Sequence, residues 1–267
     1  MLTSVFTKTV RDLRRGLLWW SLGLAGLVTM LVAVYPTVRD NPDLTKLVEQ
    51  YPEALKSFLS FGGGVDYTSG AGYLGSELFS FMIPLLFLVA AIGAGSRAIA
   101  GEEEKGTLDL LLANPVSRRR VVLEKLGALV LELLALGFVL WIGLVIGGHA
   151  ATMKVSAAHL GAGAAAAVLL GLAFGTIALL VGAASGKRGL AAGLTAALAV
   201  AAYVVNSLAP LVSGLRPLQK LSPVYHYVVS DPLRRGLELE HCAVLAGIAL
   251  VAAVLAVAAF DRRDISS

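Results

Sequence analysis

The chain has 267 residues, 57% of them hydrophobic and 15% charged, with a net charge of +4; soluble domains sit nearer about 45–50% apolar and about 25% charged. So apolar a chain is not disordered, and with Cys242 as its one cysteine it is not an internal disulfide scaffold. Several apolar runs reach the roughly 20 residues that cross a bilayer, which leaves a multi-span membrane protein with little soluble mass.

In chain order, residues 1–15 predict an interfacial amphipathic helix. Leu2, Val5, Phe6, Val10, Leu13 and Leu17 follow helical spacing, and Lys8, Arg11, Asp12 and Arg15 occupy the other side. The plainer alternative is a positive flank for the first span. Six spans follow, near 16–35, 79–100, 127–148, 160–184, 189–212 and 242–260. Helix is the conformation for each, because lipid offers no partner to an open strand edge. The first apolar stretch ends in Val34-Tyr35-Pro36 rather than a small-x-small site, so it reads as a retained span rather than a cleaved signal. The predicted fold class is therefore an all-α polytopic membrane protein, one transmembrane domain over 1–267.

Two loops on the outer side are long. In 36–78, Leu44, Leu47, Val48, Tyr51, Leu55, Phe58 and Leu59 predict a helix, and Gly62–Gly64 and Ser69–Gly72 are expected to break regular structure. A helix capping the bundle is favoured there over a substrate-facing lid. In 213–241, Asp231 followed by Pro232 predicts a helix start. Tyr225 and Tyr227 suit a membrane boundary, so short helices dipping into the outer leaflet are expected.

An even number of spans puts both termini on one side. Fourteen of the lysines and arginines fall on that side and eight on the other, which predicts cytoplasmic termini. The basic balance is thus a topology signal. No folded soluble surface is large enough for a nucleic-acid patch, and no nucleic-acid partner is expected.

The loop 101–126 between the second and third spans is the most informative stretch. It opens with Glu102, Glu103, Glu104, Lys105 and Gly106. Thr107 to Ala113 predict about two helical turns, with Leu108, Leu111 and Leu112 on one apolar face. Pro115 ends that helix, and Ser117 is placed to cap the helix that enters the third span, just before Arg118. The other segments on this side look too small to cover the apolar face. The three glutamates argue against lying on an anionic membrane. Docking into a separate protein is therefore favoured over lying on the lipid.

At this loop the sequence resembles the permease subunits of type-2 ATP-binding-cassette transporters, the bacterial exporter class. The residues that carry the resemblance are Glu102–Lys105, Gly106-Thr107-Leu108-Asp109, Leu111-Leu112, Pro115 and Ser117-Arg118. Ser222-Pro223-Val224-Tyr225, Asp231-Pro232-Leu233 and the tail Phe260–Ile265 also look like the family's, so the resemblance covers essentially the whole chain. It implies that the loop carries a coupling helix seated in a groove of a nucleotide-binding subunit. It also implies two ATPase subunits working with two permeases, the second being another copy of this chain or a related one. Membrane lipids surround them, in the bacterial cytoplasmic membrane. ATP and magnesium would belong to the partner, with no cofactor and no catalysis in this chain. The nearest phosphate-loop stretch, Gly182–Arg188, has Val181 where the first glycine belongs and Arg188 in place of the hydroxyl residue.

Within the spans, Glu132 is a costly intramembrane carboxylate. A structural pair with Arg97 is favoured over a proton or ion site. Gly171, Gly175, Gly182 and Gly186 form one small-residue stripe and Gly143 and Gly147 another. Both favour packing within the subunit over a dimer seam. The four histidines show no metal-ligand spacing, and no intramembrane-protease motif is complete. A largely neutral interior suits a small amphipathic or lipid-like cargo, and the family resemblance implies that it is exported. The alternative function is a carrier or channel that needs no ATPase, against which the nearly charge-free midplane counts.

Overall fold

The computed structural model describes residues 5–41, 68–108, 116–210 and 212–263. Among them there are helices and no strands. Six helices are long and apolar enough to cross a membrane: Val5–Arg39, Gly70–Ala98, Arg118–Ala150, Ala157–Ser185, Arg188–Leu208 and Leu239–Arg262. Each contains the core of a predicted span. Most run past the predicted limits, because a helix can continue beyond the hydrocarbon that hydropathy senses.

The first helix corrects one expectation. Residues 5–39 form a single helix, so 5–15 are the first turns of the span and not a separate interfacial element. Gly16 has open space around it. A lone glycine costs only about 1 kcal/mol, too little to end a long helix. Part of the amphipathic face also packs on protein: Val5 is buried against Val121, with Val116 beside them.

The second span corrects another. Ser69–Gly72 do not interrupt the helix but begin it. The Ser69 hydroxyl accepts the N–H of Gly72 at 3.1 Å, which makes Ser69 an N-cap. The glycine is needed for proximity, since a Cβ on Gly70 would lie 2.2 Å from the Met153 carbonyl oxygen. Residues 74–82 then take π-helical pairing, so the Ile83 N–H reaches back to the Leu78 carbonyl. Pro84 has no N–H to offer the next one. The Phe79 carbonyl thus loses its helical donor and accepts the Tyr227 hydroxyl at 2.9 Å. The predicted helix at 44–59 and Gly62–Gly64 lie outside the described residues.

The fourth span is the hub. It packs on the second, third, fifth and sixth spans, and its Gly and Ala faces allow near backbone contact. A Cβ on Gly95 would stand 2.1 Å from the Gly175 carbonyl oxygen. A Cβ on Gly171 would meet Leu133 and Ala91, and one on Gly182 would meet Ala100 and Ala191. Gly147 and Gly143 face Val32 and Val28 of the first helix. These small-residue stripes therefore pack within the subunit, as the spacing favoured.

Three short helices precede the sixth span: Arg216–Leu221, Pro223–Val229 and Pro232–Arg235. The start at Pro232 is as predicted, but Asp231 sits in the left-handed region and its side chain makes no capping bond. The backbone turn, with the Arg234 and Arg235 N–H groups donating to the Asp231 carbonyl, replaces the carboxylate cap.

Candidate functional site

The bundle has one end rich in charge. It gathers the amino-terminal turns of the first helix, the short helix Ala100–Glu104, the start of the third span, the turn between the fourth and fifth spans, and the end of the sixth. Into it runs the loop 101–126. Residues 109–115, and with them Leu111, Leu112 and Pro115, lie outside the described residues.

The acidic triplet is the first structural surprise. Glu102 is held by Lys125 at 2.6 Å and Lys8 at 3.2 Å, and it accepts the Thr107 hydroxyl. Burial alone would push its carboxyl up. The Lys125 and Thr107 hydrogen bonds and the Lys125 charge outweigh burial and bring it down to about 2. Glu103 pairs with Arg263. Glu104 accepts the backbone N–H of Arg188 at 2.9 Å. These three carboxylates thus bind the loop's first stem to the first, third, fifth and sixth spans.

The stem turns at Gly106, whose φ of +65° is open to glycine at no steric cost. The Gly106 N–H donates to the Glu103 carbonyl and the Thr107 N–H to the Glu102 carbonyl, each at 2.9 Å. Lys105 is exposed at this turn. The second stem begins where predicted, with the Ser117 hydroxyl accepting the Arg120 N–H at 3.3 Å. Arg118 reaches the sixth span, donating to the Arg263 carbonyl at 2.6 Å.

Leu108 corrects the docking expectation in one respect. It is 2% exposed, packed with Ile99, Val122, Leu179, Ala183, Ala256 and Phe260. The loop does find apolar cover within its own chain, supplied by the ends of four spans rather than by other loops. Leu108 anchors the loop and presents nothing outward.

Glu132 is 4% exposed on the third span, and its Oε2 has no hydrogen-bond partner among the described residues. The expected pair with Arg97 does not form. Arg97 is exposed, and its guanidinium lies along its own helix beside Gly93, so that a Cβ there would meet Nη1 at 3.5 Å. Side chains on a helix lean toward its amino end, which carries Arg97 along the helix surface instead of across to the third span.

The sequence reading missed Lys8, Lys125, Arg188 and Arg263 as parts of this site. One of them was legible. Val121, Val122, Lys125, Ala128, Leu129 and Glu132 share the buried face of the third span, and their spacing is that of one helix face. A lysine on such a face needs a carboxylate. Which carboxylate it meets depends on the fold.

The opposite end also carries charge, but its ion pairs, Arg39–Asp40, Arg234–Asp231 and Arg235–Glu238, join residues at most three apart in the chain. Tyr227 is buried, which pushes its phenol well above the ordinary range. Tyr73 donates to the Leu31 carbonyl at 3.0 Å and Trp141 to the Ala157 carbonyl at 2.9 Å. An open pocket of about 560 Å³ lies there, with Tyr35, Arg39, Gly70, Met153, Lys154 and His159 among its walls.

Six apolar helices around a small-residue hub, with a charged loop tied at both stems, are the build of a multi-pass transport protein. The family model described as ABC-2 family transporter protein matches residues 3–265. The chain belongs to that family: it is a membrane permease component of an ABC transporter, a non-catalytic component in a family that works with an ATP-binding subunit. Comparison with curated proteins gives no match.

Proposed function

We propose that the charged end is cytoplasmic and that the loop 105–117 docks into a separate nucleotide-binding subunit. Two copies of that subunit would serve two permeases, this chain and a second copy or a related one. ATP and magnesium are held by the partner. The observation that carries the reading is the anchoring of both loop stems. Glu102, Glu103 and Glu104 fix the first, and Ser117 and Arg118 fix the second. A force applied to a loop so held is passed to the spans rather than dissipated in a hinge. The excess of basic residues at this end supports the orientation.

The cargo proposed is a small amphipathic or lipid-like molecule, moved outward. Long exposed apolar faces on the spans support it, such as Leu190, Leu194 and Leu198 on the fifth. A path between two such subunits is apolar along much of its length.

The test is affinity purification of the tagged chain from its native membrane, with mass spectrometry of what co-elutes. A stoichiometric protein bearing a phosphate-binding loop is expected, and its ATP turnover then screens for cargo. Two variants refine it. Leu111→Asp loses the partner and leaves a folded permease. Leu108→Asp destabilises the permease itself, because a carboxylate enters a closed apolar cluster. Recovery of the chain alone, under conditions that hold related complexes together, overturns the proposal in favour of a carrier without ATPase.

A further inference from the structure

The carboxyl end of the sixth span touches both stems of the loop. On the first stem, Arg263 pairs with Glu103; its Nη1 also donates to the Ala183 carbonyl of the fourth span at 3.2 Å. On the second stem, Arg118 Nη1 donates to the carbonyls of Arg263 and Phe260, at 2.6 and 3.4 Å. Arg119 Nε pairs with Asp261 Oδ2 at 2.5 Å. Between the stems, the fully buried Phe260 packs in one cluster with Leu108. Gly186 makes room for the clasp: a Cβ there would strike Arg263 and Glu103 at 2.1 and 2.6 Å.

Arg118 by itself is an ordinary cap on the last carbonyls of a helix. A cap does not account for Arg263, which leaves its own helix to reach the other stem. Nor does it account for Asp261, which returns to Arg119. Together these contacts close a ring: stem, Arg263, the end of the sixth span, Arg118, stem.

We infer that Arg263, Asp261 and Arg118 make the sixth span a coupling element, so that a displacement of the loop is delivered to it as directly as to the second and third spans. The inference rests on the reading of the loop as the ATPase-coupled segment. The sixth span is one helix, Leu239–Arg262. Its far end is held to the short helices by His241, whose Nδ1 lies 3.0 Å from that of His226. Motion at the charged end therefore reaches the opposite end along a single rod.

The experiment needs no cargo. Spin labels are placed at Leu239→Cys and Ile146→Cys, both exposed and toward the opposite end of their helices, in a Cys242→Ser background. Labelled chains are diluted with unlabelled ones in the complex with the co-purified ATP-binding subunit. Distances are measured without nucleotide and after trapping with ATP and orthovanadate. The expected result is a nucleotide-dependent shift of a few ångströms, the scale of helix displacements in switching proteins. Arg263→Ala abolishes it while the ATP-binding subunit stays bound, Arg263→Lys restores it, and Asp261→Ala, which breaks only the more exposed tie, reduces it. A wild-type shift in both Arg263→Ala and Asp261→Ala overturns the inference, as does a wild-type complex that hydrolyses ATP with no shift at this pair. If no ATP-binding subunit accompanies the wild-type chain, the underlying reading fails first and takes the inference with it.

Discussion

The two ends of this bundle are held by different chemistry. At the charged end, Glu102, Glu103, Lys8, Lys125, Arg119 and Arg263 tie separate helices by ion pairs. At the opposite end the ion pairs stay within a few residues of chain, and buried ties between separate helices include neutral hydroxyls donating to carbonyls: Tyr227 to Phe79, Tyr73 to Leu31, Ser222 to Ala202. Neutral bonds have directional geometry and little dependence on salt. Charge pairs act over longer range and weaken with ionic strength. An end proposed to exchange force with a partner suits the second kind of tie, and an end that serves as a fixed frame suits the first.

The largest break in this contrast is Lys125→Met. Lys125 is 4% exposed and ion-paired with Glu102 at 2.6 Å. Removing one member of a fully buried pair costs about 3–5 kcal/mol; here Lys8 and Thr107 still hold Glu102, so the loss falls below that range. The melting temperature of the detergent-purified chain is expected to fall by several degrees, and the double variant Lys125→Met/Glu102→Met to recover much of it. Full stability of the single variant would show that Lys8 and Thr107 suffice.

Acid probes the same tie. The Glu102 carboxyl sits lower in the folded chain than its ordinary 4.5, at about 2. A lowered carboxyl adds stability above its unfolded value and loses it as pH falls through the folded one. The stability difference between wild type and Glu102→Gln is therefore flat from neutrality to about pH 5, and it shrinks between about 4.5 and about 2. Thermal melts across that range read it directly.

Tyr227→Phe tests the opposite end. It leaves the Phe79 carbonyl buried without a donor, which costs about 1–3 kcal/mol. This loss is expected to be the same at low and high salt. The smallest effect belongs to Arg119→Ala. Its pair with Asp261 has the arginine 74% exposed, so solvent screens it, the loss of stability is expected to be the least of these, and salt erases it. If instead Tyr227→Phe proved salt-dependent and Arg119→Ala did not, the contrast between the ends would be wrong.

Much of this was legible in the linear chain. Runs of about 20 apolar residues gave six helices because lipid excludes unpaired backbone. Ser117 was readable as a cap because capping is a contact three residues long. Where prediction failed, the missing information was non-local. Nothing near Ser69 says that Met153 will crowd Gly70 or that the break will become a helix start. Nothing near Arg97 says that it will lie along its own helix, short of a salt bridge with Glu132.

The class of the chain, its spans, the place of the loop and the small-residue faces that allow close packing could all be read from local pattern. Those follow from hydropathy, helical periodicity and local caps, which act over a few residues. The packing of the helices decided that Leu108 is an anchor, that Glu102 and Glu103 are ion-paired within the chain, and that Arg263 spans from the last helix to the loop. Glu103 and Arg263 are 160 residues apart, and a contact of that separation is fixed by which helices the hub brings together, not by any pattern near either residue.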